Sequence, residues 1–386
     1  MVGAKCLDSY VANYVYIPSN VKYIGNQAFY CARLYLEFAQ KPTSWASVIT
    51  SDSNWNGVIS LNCKKNDDYI YSIEADEVTI YQYIGTERIL DVVSTIEGKP
   101  VTKIGYGFAS IGGNDDENVL ELLEGHELEP NYHSLLRTLM NPLDIIFLPE
   151  GIKEIGRWAF VSSNETVIIP NTVESIYESS LSSLDDDFGL KSFIFEGSDA
   201  PAVLNENDGT VNTSITKDTL LGTSASLRCT FGVERTRLYF DDLFCYQDDG
   251  YTYSILSYLG YKTENLLVPA TYNGKNIATI ARKAIATEEY LKSIVFSEGI
   301  QIIRPYGIYY PRANSIYIPG KPVLAIKSDA FSGLASYSLV LPHTFKTING
   351  YAFSNNIAIT GITIPASVER IMGGAFLRCS FRTPLA

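Results

Sequence analysis

One frame recurs along this chain and constrains its fold more than anything else. It runs apolar-x-apolar-Pro, then apolar-x-x-Ile, then a small residue beside a bulky apolar one. Val15, Ile17, Pro18, Val21, Ile24, Ala28 and Phe29 make one copy, and Ile146, Leu148, Pro149, Ile152, Ile155, Ala159 and Phe160 another. Val167, Ile169, Pro170, Val173, Ile176 and Leu181 repeat it, as do Ile294, Phe296, Ile300, Ile303 and Ile308 with Ser297 in the proline slot. Three tandem copies follow around Pro319, Pro342 and Pro365, with 23 residues between successive prolines, which is a solenoid period. Each copy predicts a short strand stopped by proline, a second short extended piece, and a tight helical or 3-10 turn seated on the Ala-Phe pair. One such unit cannot bury its own apolar face. Stacking units with strands about 4.8 Å apart makes those faces one continuous core. Ile17, Leu148, Ile318, Leu341 and Ile364, each directly before the proline slot, are expected to be almost fully buried as stacked equivalents.

Two copies carry an insertion and match each other, Thr95 to Ile104 and Thr271 to Ile280, with Glu97-Gly98 and Asn273-Gly274 as turn dipeptides of hairpins. Upstream lie two further matching runs, Asp67 to Ile73 and Asp249 to Ile255, taken as module starts. Each is preceded by an irregular segment ending in a lone cysteine, Pro42 to Cys63 and Pro201 to Cys229. The resulting division is 1–66, a partial repeat stack with its closing segment; 67–247, a second module with an irregular end near 198–247; and 248–386, a third module ending inside a repeat. Residues 112–144 lack the proline frame. Their leucines, among them Leu122, Leu123, Leu135, Leu136 and Leu139, recur near every 3.6 residues, so a partly helical insertion outside the ladder is expected there.

These residues resemble the BspA-like leucine-rich repeat family, whose unit reads roughly I-x-I-P-x-x-V-x-x-I-G-x-x-A-F-x-x-C. Val21 to Phe29, Gly151 to Phe160 and Val368 to Cys379 carry the string. Phe108 departs from it by following Ile104 one residue early, and Val323 by following Pro319 one residue late. The expected fold is a β-rich solenoid of leucine-rich repeats of about 23 residues, with short strands and helical or 3-10 turns, interrupted by insertions. The resemblance implies a curved solenoid, secreted or displayed on a cell surface, that binds extracellular or host proteins. It supplies no catalytic residue and no cofactor. The chain starts and stops inside repeats, which points to a segment of a longer protein.

Composition excludes several classes. Thirty basic against 43 acidic side chains, a net charge of −13, argues against a nucleic-acid surface or a polybasic membrane anchor. No apolar run approaches the roughly 18 residues of a membrane span. The 27 tyrosines and 28 glycines fit many short strands and turns, while three histidines leave little general-base or metal chemistry. Cys31 and Cys379 take a buried apolar turn slot that Leu334 fills elsewhere, and Cys6 takes the small-residue slot. Cys229 and Cys245 could pair across a loop, though spacing alone gives no geometry for it and free thiols are favoured. His126 and His133 sit in the acidic insertion, more consistent with a solvated helix than with a metal site, and His343 stands at an outer turn. The acidic runs Asp185 to Asp187, Asp241-Asp242 and Asp248-Asp249 read as solvated loops, and Asn205 to Gly209 fails the calcium-loop frame because Leu204 takes its first ligand slot. Sequons occur at Asn164 and Asn212. No phosphate loop and no nucleophile elbow is present.

A candidate interaction stripe remains. Strand side chains alternate, so the residue two before each proline slot should point away from the core. That column reads Tyr16, Phe147, Ile168, Leu267, Val295, Tyr317, Val340 and Thr363, nearly all apolar or aromatic. Coverage by insertions and turns, or β propensity alone, is the simpler account of it. The functional reading is an exposed stripe for partner proteins, in a non-enzymatic binding or adhesion protein. A spacer solenoid is the alternative, and a polysaccharide-active β-solenoid enzyme a third reading.

Overall fold

A computed structural model describes residues 14–24, 33–40, 58–109, 143, 145–160, 166–181, 191–222, 227–260, 263–286, 291–309, 313, 315–318, 325–327, 329–334, 338–341, 343–359 and 361–380. The expected helical insertion, 112–144, falls almost wholly outside these residues. The chain forms two compact units, Met1–Phe188 with Ala200–Thr219, and Gly189–Asp199 with Leu220–Ala386.

In the first unit, β1 (Tyr14–Ile17), β2 (Arg33–Leu36) and β3 (Val58–Ser60) form a parallel sheet in that order. An antiparallel meander follows, β4 (Cys63–Lys65), β5 (Tyr69–Glu74) and β6 (Glu77–Tyr83). After β7 (Ile89–Asp91), β8 (Thr95–Ile96) turns back into β9 (Lys99–Ile104), which lies parallel to β6. The repeats then add one strand each to two walls. β10 (Ile145–Phe147) and β12 (Thr166–Ile169) extend the wall begun by β7. β11 (Glu154–Ile155), β13 (Ser175–Tyr177) and β15 (Ala202–Leu204) extend the wall of β9.

In the second unit, β14 (Lys191–Phe195) pairs with β16 (Leu227–Phe231) in parallel. A second meander, β17 (Leu238–Phe240), β18 (Phe244–Asp248) and β19 (Tyr253–Tyr258), opens its stack. One parallel wall is β20 (Asn265–Val268), β24 (Ser293–Phe296), β27 (Ser315–Tyr317), β30 (Ser338–Val340) and β32 (Gly361–Thr363). A second runs from β19 through β22 (Lys275–Ile280) and β25 (Ile302–Ile303) to β28 (Ala325–Ile326), with β21 (Thr271–Tyr272) as hairpin partner of β22. β31 (Thr347–Ile348) and β33 (Arg370–Ile371) pair at the same place in their repeats. A third, narrow wall is β23 (Ile285–Ala286), β26 (Ile308–Tyr309) and β29 (Phe331–Ser332). The corner expected to be helical or 3-10 is thus a third strand in these repeats, and among the described repeats it closes into a helix at α1 (Glu178–Leu181).

The predicted core positions are where the frame puts them. Ile146, Leu148, Ile152, Ile155, Ala159 and Phe160 are all buried, as are Ile294, Phe296, Ile300, Ile303 and Ile308. Ile17, Leu148, Ile318 and Leu341 are buried before their proline slots, whereas Ile364 is half-buried against the same core. Equivalent side chains stack on one another: Phe353 lies 5.3 Å from Phe331 and 5.6 Å from Phe376, rings nearly parallel. Both predicted hairpins form. Glu97-Gly98 and Asn273-Gly274 each have two consecutive positive φ angles, the condition of a type I′ turn, whose twist suits a two-residue hairpin.

One backbone feature repeats without a glycine signature. The residue before the small slot is left-handed in Trp158, Lys283, Tyr306, Asp329, Tyr351 and Gly374, and so is Gly107, directly before Phe108. This conformation disfavours residues with a Cβ by about 1–2 kcal/mol. It also aims each N–H at the next layer: Lys283 donates to the Tyr306 carbonyl at 2.9 Å, Tyr306 to Asp329 at 2.9 Å, and Asp329 to Tyr351 at 3.0 Å. The vertical hydrogen bonds offset the strain. At Trp158 the acceptor is the Ser179 hydroxyl, 2.9 Å away, where α1 replaces the next turn.

The matching runs Asp67 to Ile73 and Asp249 to Ile255 are not equivalent. Asp67 to Ile73 enters the first long strand of its meander, β5, while Asp249 to Ile255 enters the last, β19. The equivalent of Asn66 is Asp241. The Asn66 side chain accepts from the amides of Asp68 and Tyr69, and that of Asp241 from Leu243 and Phe244. Asp249 caps the next turn in the same manner, accepting from Tyr251 and Thr252, so the short sequence pattern arises at both turns.

Candidate functional site

The wall β20-β24-β27-β30-β32 sets the stripe in register. Leu267 pairs with Val295, Val295 with Tyr317, Tyr317 with Val340, and Val340 with Thr363. Leu266, Ile294, Ile316 and Ile362 alternate with them and are buried, as are Val268, Phe296, Ile318 and Leu341 on the far side of the column. The alternation therefore turns Leu267, Val295, Tyr317 and Thr363 outward. Leu267 is 58% exposed, Val295 37% and Tyr317 52%, and Thr363 is exposed as well. At about 4.8 Å per strand the five rows span roughly 19 Å. Beside the apolar column runs a small polar one, Asn265, Ser293, Ser315, Ser338 and Gly361 in the same register. The Ser293 hydroxyl donates to the Asn265 side-chain oxygen at 2.7 Å, and a Lys292–Glu264 ion pair of 2.5 Å borders the first two rows.

In the first unit the corresponding slots are covered to different degrees. Phe147 is half-buried between Asp91, which is exposed, and Ile168, which is fully buried. All four residues of β12 are buried, so both faces of that strand are covered and Ile168 is core, not part of an exposed stripe. Tyr16 is also half-buried. Its hydroxyl donates to the Cys63 carbonyl at 3.3 Å, and burial together with the neighbouring Glu37 pushes its pKa up to about 12. Of the eight stripe positions, the structure gathers Leu267, Val295, Tyr317, Val340 and Thr363 into one column.

The remaining candidates are structural. Cys229 and Cys245 are free and buried, so the conceivable disulfide is absent, and Cys63 is likewise free and buried. Burial pushes all three thiols up to about 12, far from a reactive thiolate. Cys379 is half-buried with its thiol 3.0 Å from the Phe353 carbonyl; Cys6 and Cys31 lie outside the described residues. Asp241 and Asp249 cap turns, and Asp248 holds Lys275 at 2.6 Å. Lys275 in turn lies 5.0 Å from the Tyr253 ring centre. Asp208 accepts from the amide and hydroxyl of Thr210. His343 is exposed, while His126, His133 and Asp185 to Asp187 lie outside the described residues. Among the described residues no group of His, Cys, Asp and Glu is arranged to hold a metal, and no helix is long and apolar enough to cross a membrane.

Sequence reasoning missed the buried cations Arg33, Arg228 and Lys283. The available signal was an arginine in an otherwise apolar or small-residue strand, Ala32-Arg33-Leu34 and Leu227-Arg228-Cys229.

Comparison with known proteins agrees with the repeat architecture. The sequence profile described as "BspA type Leucine rich repeat region" matches six copies, over residues 2–49, 139–198 and 264–382. Among curated proteins, none matches significantly. Solved structures similar to this chain include a leucine rich cell surface protein from Faecalibacterium prausnitzii, 16% identical, covering 82% of this chain and 92% of that one with a TM-score of 0.29. The pneumococcal vaccine antigen PcpA is 14% identical over 83% of this chain and 88% of its own, with a TM-score of 0.32. A leucine-rich repeat protein from Eubacterium ventriosum is 15% identical over 82% and 94%, with a TM-score of 0.24. With six profile copies on more than half of its length, the chain belongs to the BspA-type leucine-rich repeat family.

Proposed function

We propose that this is a non-enzymatic leucine-rich repeat protein of the cell surface or the extracellular space, which binds extracellular or host proteins through the outward face of the β20-β32 wall. The observation that carries this reading is the exposure of Leu267, Val295 and Tyr317 in one register column. Parallel sheets are ordinarily covered on both faces, and a sustained uncovered apolar stripe is the usual mark of an interaction surface. Family membership and the acidic balance favour a protein partner over nucleic acid.

The test is adhesion of beads coated with the protein to cultured host cells, comparing the parent with Leu267→Ser combined with Tyr317→Ser. Both side chains are more than half exposed, so thermal unfolding should barely move while half-maximal adhesion shifts by roughly tenfold. Equal adhesion of parent and variant would instead favour the spacer reading, in which the solenoid only holds another segment away from the cell.

A further inference from the structure

The two meanders are copies of one device. From Cys63 to Tyr83 the first meander matches Leu238 to Tyr258 residue for residue, including a register shift at Ile70/Tyr71 and at Cys245/Tyr246. The long-range backbone bonds match too. Tyr83 N–H reaches the Phe108 carbonyl at 3.0 Å and Tyr258 N–H the Ala284 carbonyl at 2.7 Å, while Ile84 bonds Asp68 and Leu259 bonds Leu243, both at 2.7 Å.

In both copies a buried arginine from an upstream strand enters the same place. The Arg33 guanidinium donates to the Gln82 side-chain oxygen at 2.6 Å and to the Gly107 carbonyl at 2.5 Å. The Arg228 guanidinium donates to the Ser257 hydroxyl, to the Lys283 carbonyl at 2.5 Å, and to the carbonyls of Leu256 and Ala284, both at 3.1 Å. Ser257 is the equivalent of Gln82, and Lys283 that of Gly107, both in the left-handed turn after the following parallel strand. The receiving residue is held in turn. Gln82 donates its amide to the Tyr83 and Phe108 carbonyls, and Ser257 bonds the Tyr258 carbonyl at 3.4 Å. The arginines themselves are not equivalent: Arg33 precedes its meander strand at Cys63 by 30 residues, and Arg228 precedes Leu238 by 10. What recurs is the receiving site.

We infer that each meander builds a guanidinium socket, formed by its last strand and the next left-handed turn, which docks an upstream strand by its arginine and so makes β2 fold together with β6 and β16 together with β19. The socket's chemistry is specific. Convergent carbonyl oxygens and one side-chain oxygen match several planar N–H donors, which a guanidinium supplies and an ammonium does not. Burial makes these charge-assisted bonds strong and leaves unsatisfied carbonyls behind if the arginine is cut away.

The experiment uses the full chain. In Arg228→Ala, hydrogen exchange of the β16 amides, Leu227–Phe231, should speed by roughly tenfold to a hundredfold. Millimolar ethylguanidinium should restore part of that protection, and ethylammonium at the same concentration should not. Should Arg228→Ala fail to fold, Ser257→Ala decides: it removes one acceptor, and faster exchange in β16 is the expected result. Unchanged β16 exchange in the variant that folds, or equal effects of ethylguanidinium and ethylammonium, would overturn the inference.

Discussion

The amide of Tyr306 donates to the carbonyl of Asp329 at 2.9 Å, and both residues have left-handed backbones, φ 56° and 52°. Glycine meets this conformation without cost, so alanine in place of a left-handed glycine isolates the strain. At Gly98 nothing lies within 4 Å of an added Cβ, and Gly98→Ala should cost about 1 kcal/mol. At Gly374 the added Cβ falls 2.6 Å from the Tyr351 ring. Gly374→Ala should therefore destabilise more than Gly98→Ala in urea titrations. The reverse order would contradict the described turn.

The stacked position before the proline slot gives a graded series. Ile318→Ala and Leu341→Ala each empty a buried site and should cost roughly 2–5 kcal/mol in chemical unfolding. Ile364→Ala removes a half-buried side chain at the equivalent slot and should cost clearly less.

Lys283 provides a pH dependence of known sign. Burial, with Arg282 and Arg228 nearby, lowers its pKa from 10.5 to about 8; Cys229 and the Tyr309 ring, 5.5 Å away, are also near its ammonium. Between pH 8 and 10.5 the unfolded chain holds a proton at this site that the folded chain has released, so folding gains stability as pH rises through that window. Below pH 8 both states carry the proton and the penalty of the buried charge is complete. Measured as the difference between the parent and Lys283→Met, which cancels the other titrating groups, parental stability should climb from pH 8 to pH 10. A flat difference would show that the ammonium is solvated.

Thiol chemistry should follow burial. Cys63, Cys229 and Cys245 should resist iodoacetamide in the native protein at pH 8 and react fully in denaturant, as read by peptide mapping. Native labelling of any of the three would place that thiol at the surface.

The ladder of strands was legible because its signal is local. Alternation around Ile316 and Ile318 sets which side chains point inward, proline marks the end of the strand, and Asn273-Gly274 has few alternatives to a tight hairpin. Solvent access to the outward side was not legible. Ile168 and Leu267 occupy the same slot with similar side chains, yet one is buried and the other 58% exposed, a difference that the repeat frame itself does not encode. The left-handed position was hidden for another reason: Trp158, Lys283, Tyr306, Asp329 and Tyr351 are aromatic, basic or acidic and none is a glycine, and hydrogen bonds between layers support the conformation that glycine adopts elsewhere. The meander register misled because Asp249 and Asn66 cap different turns with the same side-chain geometry.

The equal 23-residue steps between Pro319, Pro342 and Pro365 make the outward face of the wall editable in whole rows. Each step contributes one outward residue from the proline frame, such as Tyr317, and returns the backbone to the same register. Duplicating or losing one step lengthens or shortens the display by about 4.8 Å while every retained row keeps its neighbours' hydrogen-bond pattern. Recombination between repeats in the gene can thus vary the length of what is presented without redesigning the interior.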